Sequence, residues 1–107
     1  METETAFERI AQLIGCKWSV RILVSLSTGV TRPSQILKQE DGLSARVMHR
    51  CLNRMEKDGL LQKTVLAEVP PHTEYTLTDQ GREFVNLLST VRDMAKQWKG
   101  TQRPVKM

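Results

Sequence analysis

Residues 44–59, SARVMHRCLNRMEKDG, decide how the rest of the chain is read. Met48, Leu52 and Met55, with Val47 and Cys51 beside them, recur at the three- and four-residue offsets of an amphipathic helix and form one apolar stripe. Arg46, His49, Arg50, Asn53 and Lys57 fall on the other side. Ser44 supplies an N-cap, and Gly59 can end the helix in a left-handed conformation. Arg46, Arg50, Arg54 and Lys57 meet only Glu56 and Asp58 as opposite charges. Such a helix is either an ordinary solvated face or one that meets a polyanion. Its side-chain types pair with phosphates and with guanine or adenine edges. The flanking sequence tips the balance toward the second.

Upstream, Thr5-x-x-Glu8 has the form of a capping box, and Phe7, Ile10 and Ile14 follow at helical spacing. The pattern predicts a short helix over residues 5–14, stopped by Gly15. A second helix is expected from Lys17 to Thr28, with Trp18, Ile22, Leu23 and Leu26 as its buried face and Gly29 beyond it. Pro33 suits the first turn of a third helix running to Lys38, and Glu40-Asp41-Gly42 reads as a turn. After Gly59 the period changes to two. Leu61, Val65, Ala67 and Val69, then Tyr75 and Leu77, alternate with polar residues, apart from Leu66. Pro70-Pro71-His72-Thr73 separates the two runs as a stiff tip, so the segment is a hairpin. Thr78 caps a last helix over residues 79–99, and residues 100–107 read as a flexible tail.

The 107 residues suffice for one domain with one modest core. Aromatic residues make up only 5%, which argues against an all-β sandwich. A net charge of +4 suits a polyanionic partner. No apolar run approaches the ~18 residues of a membrane span, and no signal sequence opens the chain, so a cytoplasmic protein is expected. Cys16 and Cys51 lie in separate predicted helices, and a structural disulfide is not expected in that compartment. Cys16, Cys51, His49 and His72 lack a metal-ligand spacing. No Gly-rich phosphate loop, nucleophile triad or paired acid is present, so neither an enzyme nor a cofactor is expected.

Two short helices, a turn, a basic helix and a stiff hairpin make a mainly α winged helix-turn-helix over residues 17–78. The partner it implies is double-stranded DNA. Ser44, Arg46, His49, Arg50 and Asn53 form the expected groove-facing set. Arg54 and Lys57, later on the helix, are read as solvated or phosphate-facing. Ser34 and Gln35 would hold phosphates, and a wing over residues 69–74, with Lys63 at its base and His72 at its apex, would lie along the backbone. Phe84, Leu87, Val91, Met94 and Trp98 repeat at spacings of three and four, the pattern of a helix–helix seam. Phe7, Ile10 and Ile14 form a second such stripe, so the two terminal helices are expected to build a homodimer. Two alternatives stay open: a winged-helix module that binds only protein, and a thiol-responsive regulator in which Lys17 activates Cys16. A small-molecule effector could also bind between the terminal helices and the DNA-binding unit.

Three segments carry a resemblance: Ile14-Gly15-Cys16-Lys17-Trp18, Ser44 through Leu60, and Glu68-Val69-Pro70-Pro71-His72-Thr73-Glu74-Tyr75-Thr76-Leu77-Thr78-Asp79-Gln80-Gly81. In this order and spacing, the chain from about residue 5 to 98 resembles the HxlR-type family of bacterial winged-helix regulators, relatives of the MarR group. The resemblance implies a homodimeric transcriptional regulator of an inverted-repeat operator, joined through its terminal helices. Three positions depart from the family pattern. Cys16 replaces a usual second glycine, and Pro33 replaces a frequent aromatic. Thr5 stands about where many relatives carry an N-terminal cysteine, used in some for sensing quinones or oxidants.

Overall fold

The computed structural model describes the backbone of residues 2–101 and side chains over residues 5–98. The order is α1 (Glu2–Ile14), α2 (Lys17–Ser27), α3 (Pro33–Gln39), α4 (Ala45–Lys57), β1 (Leu61–Leu66), β2 (His72–Leu77) and α5 (Asp79–Thr101). The tail expected over residues 100–107 falls outside the described residues beyond Thr101.

Most boundaries follow the local chemistry. Ser44 Oγ accepts the Val47 N–H at 3.1 Å, which caps α4. Gly59 leaves that helix at φ +84°, where a side chain would be strained. The start of α1 is a correction. The helix runs back to Glu2, so Thr5 lies inside it and not at its cap. Nothing in METE, residues 1–4, breaks a helix, and a capping pattern alone does not create an end. Between α1 and α2 the chain turns through 81°. Cys16, in extended conformation, sits at that elbow as the N-cap of α2.

The helix-turn-helix is built around Ile22 and Leu23 of α2, Ile36 of α3, and Met48, Leu52 and Met55 of α4, all fully buried. Burial of each such side chain contributes roughly 1.5–3 kcal/mol. Trp18 does not join them as expected. It lies half-buried at the rim in the first turn of α2, with Lys17 Nζ 4.8 Å and the Arg21 guanidinium 5.8 Å from its ring centre. Ser19 and Ser25 take the buried positions on α2, and Ser25 Oγ donates to Gln39 Oε1 at 3.2 Å.

The hairpin is antiparallel, with Leu61 opposite Leu77, Lys63 opposite Tyr75 and Leu66 opposite His72. Only its base reaches the core. Leu61 and Tyr75 are buried, whereas Val65 and Val69 are exposed, because the ribbon extends beyond the helices that could cover it. The Tyr75 N–H donates to the Thr31 carbonyl at 2.8 Å, so the segment before α3 anchors the wing.

Helix α5 is joined to the end of α4 by a tight knot. Thr78 Oγ1 accepts the Gly81 N–H at 3.0 Å and donates to the Gly59 carbonyl at 2.6 Å. A Cβ at position 81 would stand 2.2 Å from the Leu60 carbonyl oxygen, a backbone atom that cannot swing aside. Gly81→Ala is therefore expected to destabilise the fold by more than about 1 kcal/mol, read as a lower midpoint of urea denaturation.

Candidate nucleic-acid interface

Successive α-helical residues are rotated by about 100°, so Arg50, Asn53 and Lys57 lie within about 40° of Arg46 on α4, and His49 within about 60°. All five side chains are exposed, on the side away from buried Met48, Leu52 and Met55. Ser44, at the head of this face, is exposed too. The apolar stripe thus fixes α4 by its back and leaves a cationic front free to enter a groove.

The charges divide into two groups. Arg9, Arg21, Arg32 and Arg82 are tied to Asp58, Glu40, Glu74 and Asp79 respectively. Arg46, Arg50 and Lys57 on α4, and Lys63 on β1, form no ion pair among the described residues. Positive potential left uncompensated on one surface attracts a polyanion.

Arg54 departs from the expectation. Its guanidinium donates to Gln12 Oε1 at 2.7 Å, on α1, beside the Arg9–Asp58 pair at 2.9 Å. The helical wheel explains this, since Arg54 is rotated about 80° from Arg46, toward the seam with α1. The other Asp58 carboxylate oxygen, Oδ2, is buried without a hydrogen-bond partner.

Ser34 and Gln35 are exposed on the first turn of α3, as expected, but Gln35 Oε1 accepts the Arg32 N–H at 3.3 Å. Only its amide NH2 remains for a phosphate. Lys63 is exposed mid-strand rather than at the hairpin base. His72 is not at the apex. It opens β2 opposite Leu66, half-buried, with Nε2 3.6 Å from Glu68 Oε1, and the tip is formed by residues 67–71. A four-residue run of prolines and polar residues does not reveal where pairing resumes.

Sequence reasoning missed Arg32. Its Nε lies 3.3 Å from Glu74 Oε2, clamping the start of α3 to the wing, and the partners are 42 residues apart. No local pattern announces such a pair. Beneath the clamp Tyr75 is buried; burial, then the Glu56 carboxylate, pushes its phenol above the ordinary value, so it stays neutral.

The terminal helices carry the second surface. Phe7, Ile10, Leu87, Val91, Met94 and Trp98 are exposed. Phe84 is the exception among the residues expected at a dimer seam. It is buried in the core of its own chain together with Leu88, because the first turns of α5 still lie over the helix-turn-helix. Ile14 is half-buried against that core. Between α1 and α5 runs a cavity of about 600 Å³ lined by Ile10, Leu13, Phe84 and Leu87, with Arg9 and Asp58 among its polar residues. Among the described residues, no three His, Cys, Asp or Glu side chains gather as metal ligands, and no single helix is long and apolar enough to cross a membrane.

The family model of the HxlR-like helix-turn-helix matches residues 13–103. The chain belongs to that family. An uncharacterized HTH-type transcriptional regulator of Synechocystis, sll1512, is 31% identical over 85% of this chain and 67% of its own length. The chain spans about two thirds of the length of several curated relatives it matches. Among solved structures, one described as a transcriptional regulator of the MarR family from Enterococcus faecalis superposes with a TM-score of 0.82 at 29% identity, covering 92% of this chain and 90% of that one. The reduced form of the regulator YodB from Bacillus subtilis gives 0.76 at 26% identity, covering 91% of each chain. This HxlR-like chain is thus a transcriptional regulator with a winged helix-turn-helix fold, and not an enzyme. Because Arg54 braces α1, Arg54→Ala in the HxlR-like fold should leave the ratio of specific to random duplex binding within about twofold of wild type, measured by competition titration.

Proposed function

We propose that two copies of this cytoplasmic regulator bind an inverted-repeat operator, each placing α4 in a major groove and laying its wing along the flanking backbone. The observation that carries this reading is the exposed cationic face of Arg46, Arg50 and Lys57, without an ion pair among the described residues and held outward by a buried stripe. Arg46 and Arg50 have the fork geometry for guanine O6 and N7, and Asn53 the amide for adenine N6 and N7. Lys57, Ser34 and the Gln35 amide are suited to phosphates, and Lys63 to the backbone beside the wing.

A second copy accounts for the terminal helices. At 23 residues α5 is about 34 Å long, and its distal turns outrun the core. Leu87, Val91, Met94 and Trp98 on α5, with Phe7 and Ile10 on α1, form an apolar surface beside the groove between these helices. Reading an inverted repeat with such a dimer requires the two α4 helices to stand about one DNA turn, ~34 Å, apart.

Arg50→Ala is expected to weaken binding to a selected operator by at least about tenfold more than binding to random duplex, a loss of roughly 1–3 kcal/mol in base discrimination. Equal losses on both would leave Arg50 a phosphate contact only. A dimer touching several phosphates should lose on the order of 10³- to 10⁵-fold in affinity between about 50 and 200 mM salt. Val91→Asp, on the exposed α5 face, is expected to convert the dimer to a folded monomer in sedimentation experiments. A wild-type chain that sediments as a monomer at micromolar concentration overturns the dimeric reading.

A further inference from the structure

The paired arginines are not all held in the same way. Arg9, Arg21, Arg54 and Arg82 donate through terminal nitrogens, so their partners occupy the end of the guanidinium. Arg32 instead donates to Glu74 Oε2 through Nε, the nitrogen nearest its stem, at 3.3 Å. Its two terminal NH2 groups make no hydrogen bond among the described residues. The guanidinium is planar and rigid, so a bond at Nε leaves open the far edge, which carries both terminal nitrogens.

The backbone around this side chain is fixed as well. The Arg32 carbonyl accepts the Gln35 N–H at 2.9 Å and the Ile36 N–H at 3.2 Å, while the Arg32 N–H donates to Gln35 Oε1. The preceding carbonyl, that of Thr31, accepts the Tyr75 N–H from β2 at 2.8 Å. Residue 32 is thus tied both to the first turn of α3 and to the wing. Its side chain nevertheless stays 34% exposed, and Ser34 beside it is fully in solvent.

We infer that Arg32 binds a single DNA backbone phosphate where α3 meets the wing, through its terminal fork, and that Glu74 is the positioning residue that holds it. This role presupposes the reading of DNA proposed above and adds a contact to it. Two parallel N–H donors match two phosphate oxygens. A long side chain already held at Nε loses less freedom on binding than an untethered one. The arrangement also has an electrostatic cost, because the Glu74 carboxylate repels the duplex. Charge and positioning therefore predict opposite signs for the loss of Glu74. On charge alone its removal tightens binding; as the holder of Arg32 its removal weakens binding. Glutamine separates the two effects, since its amide oxygen can still accept the Nε–H while the charge is gone.

The test uses the full chain, a duplex enriched from a random-sequence pool, and copies of that duplex in which single phosphates are replaced by uncharged methylphosphonate. At one position in each half-site, replacement should weaken wild type at least about fivefold but Arg32→Ala less than about twofold, as for two partners of one contact. Arg32→Lys keeps the charge without the fork and should bind the unmodified duplex at least about threefold more weakly. Glu74→Ala should lose about threefold or more, whereas Glu74→Gln should equal or exceed wild type. Circular dichroism and urea midpoints check each fold, and Arg32→Lys reads the fork if Arg32→Ala does not fold. An Arg32→Ala protein that keeps every phosphate response of wild type would overturn the contact and leave Arg32 a structural clamp. Tighter binding by Glu74→Ala would overturn the positioning role. A wild-type chain that binds no duplex overturns the DNA reading itself, and this contact with it.

Discussion

The arrangement rests on one packing contact, the apolar stripe of α4 against α2 and α3. Met48, Leu52 and Met55 share a fully buried cluster with Ile22, Leu23 and Ile36. Because a helix is rigid and its faces are fixed at about 100° per residue, burying one face determines the direction of every other side chain. Arg46, Arg50, Asn53 and Lys57 project outward as a consequence of what happens behind them. A core substitution that rotated α4 by a fraction of a turn would misdirect all four at once.

Around this contact, polar interactions do positional work. The Thr78 knot joins the end of α4 to the start of α5, and the Arg32–Glu74 pair with the Thr31–Tyr75 backbone bond holds the wing beside α3. Exposed ion pairs contribute at most about 1 kcal/mol each, so these contacts matter more for geometry than for stability. The brace of Arg54 and Asp58 against Gln12 and Arg9 has the same character. It links α4 to the helix beside the apolar groove.

The partition of charge is a further economy. Arg9, Arg21, Arg32 and Arg82 are matched to carboxylates, and Arg46, Arg50 and Lys57 on the front of α4 have no ion-pair partner among the described residues. Like charges on one surface repel, a cost that binding a polyanion offsets. The exposed apolar residues of α1 and α5 follow the same logic, since a surface of that kind is stabilised when a partner covers it.

Local periodicity made much of this legible in the sequence. The helix-period stripes of α2 and α4, the period-two hairpin, the Ser44 cap and the glycine stop at Gly59 are short-range patterns, and short-range patterns set element type and facing. They also gave the exposed cationic face of α4, because helical phase alone separates Arg46 and Arg50 from Met48 and Leu52. What they left undecided depends on distance in space. The shift of Phe84 from dimer seam to core, the half-exposure of Trp18 and the capture of Arg54 by Gln12 are set by which helix lies alongside. So is the Arg32–Glu74 clamp. Residues 42 positions apart become neighbours only when the chain has packed, and one sequence carries no local signal of that approach.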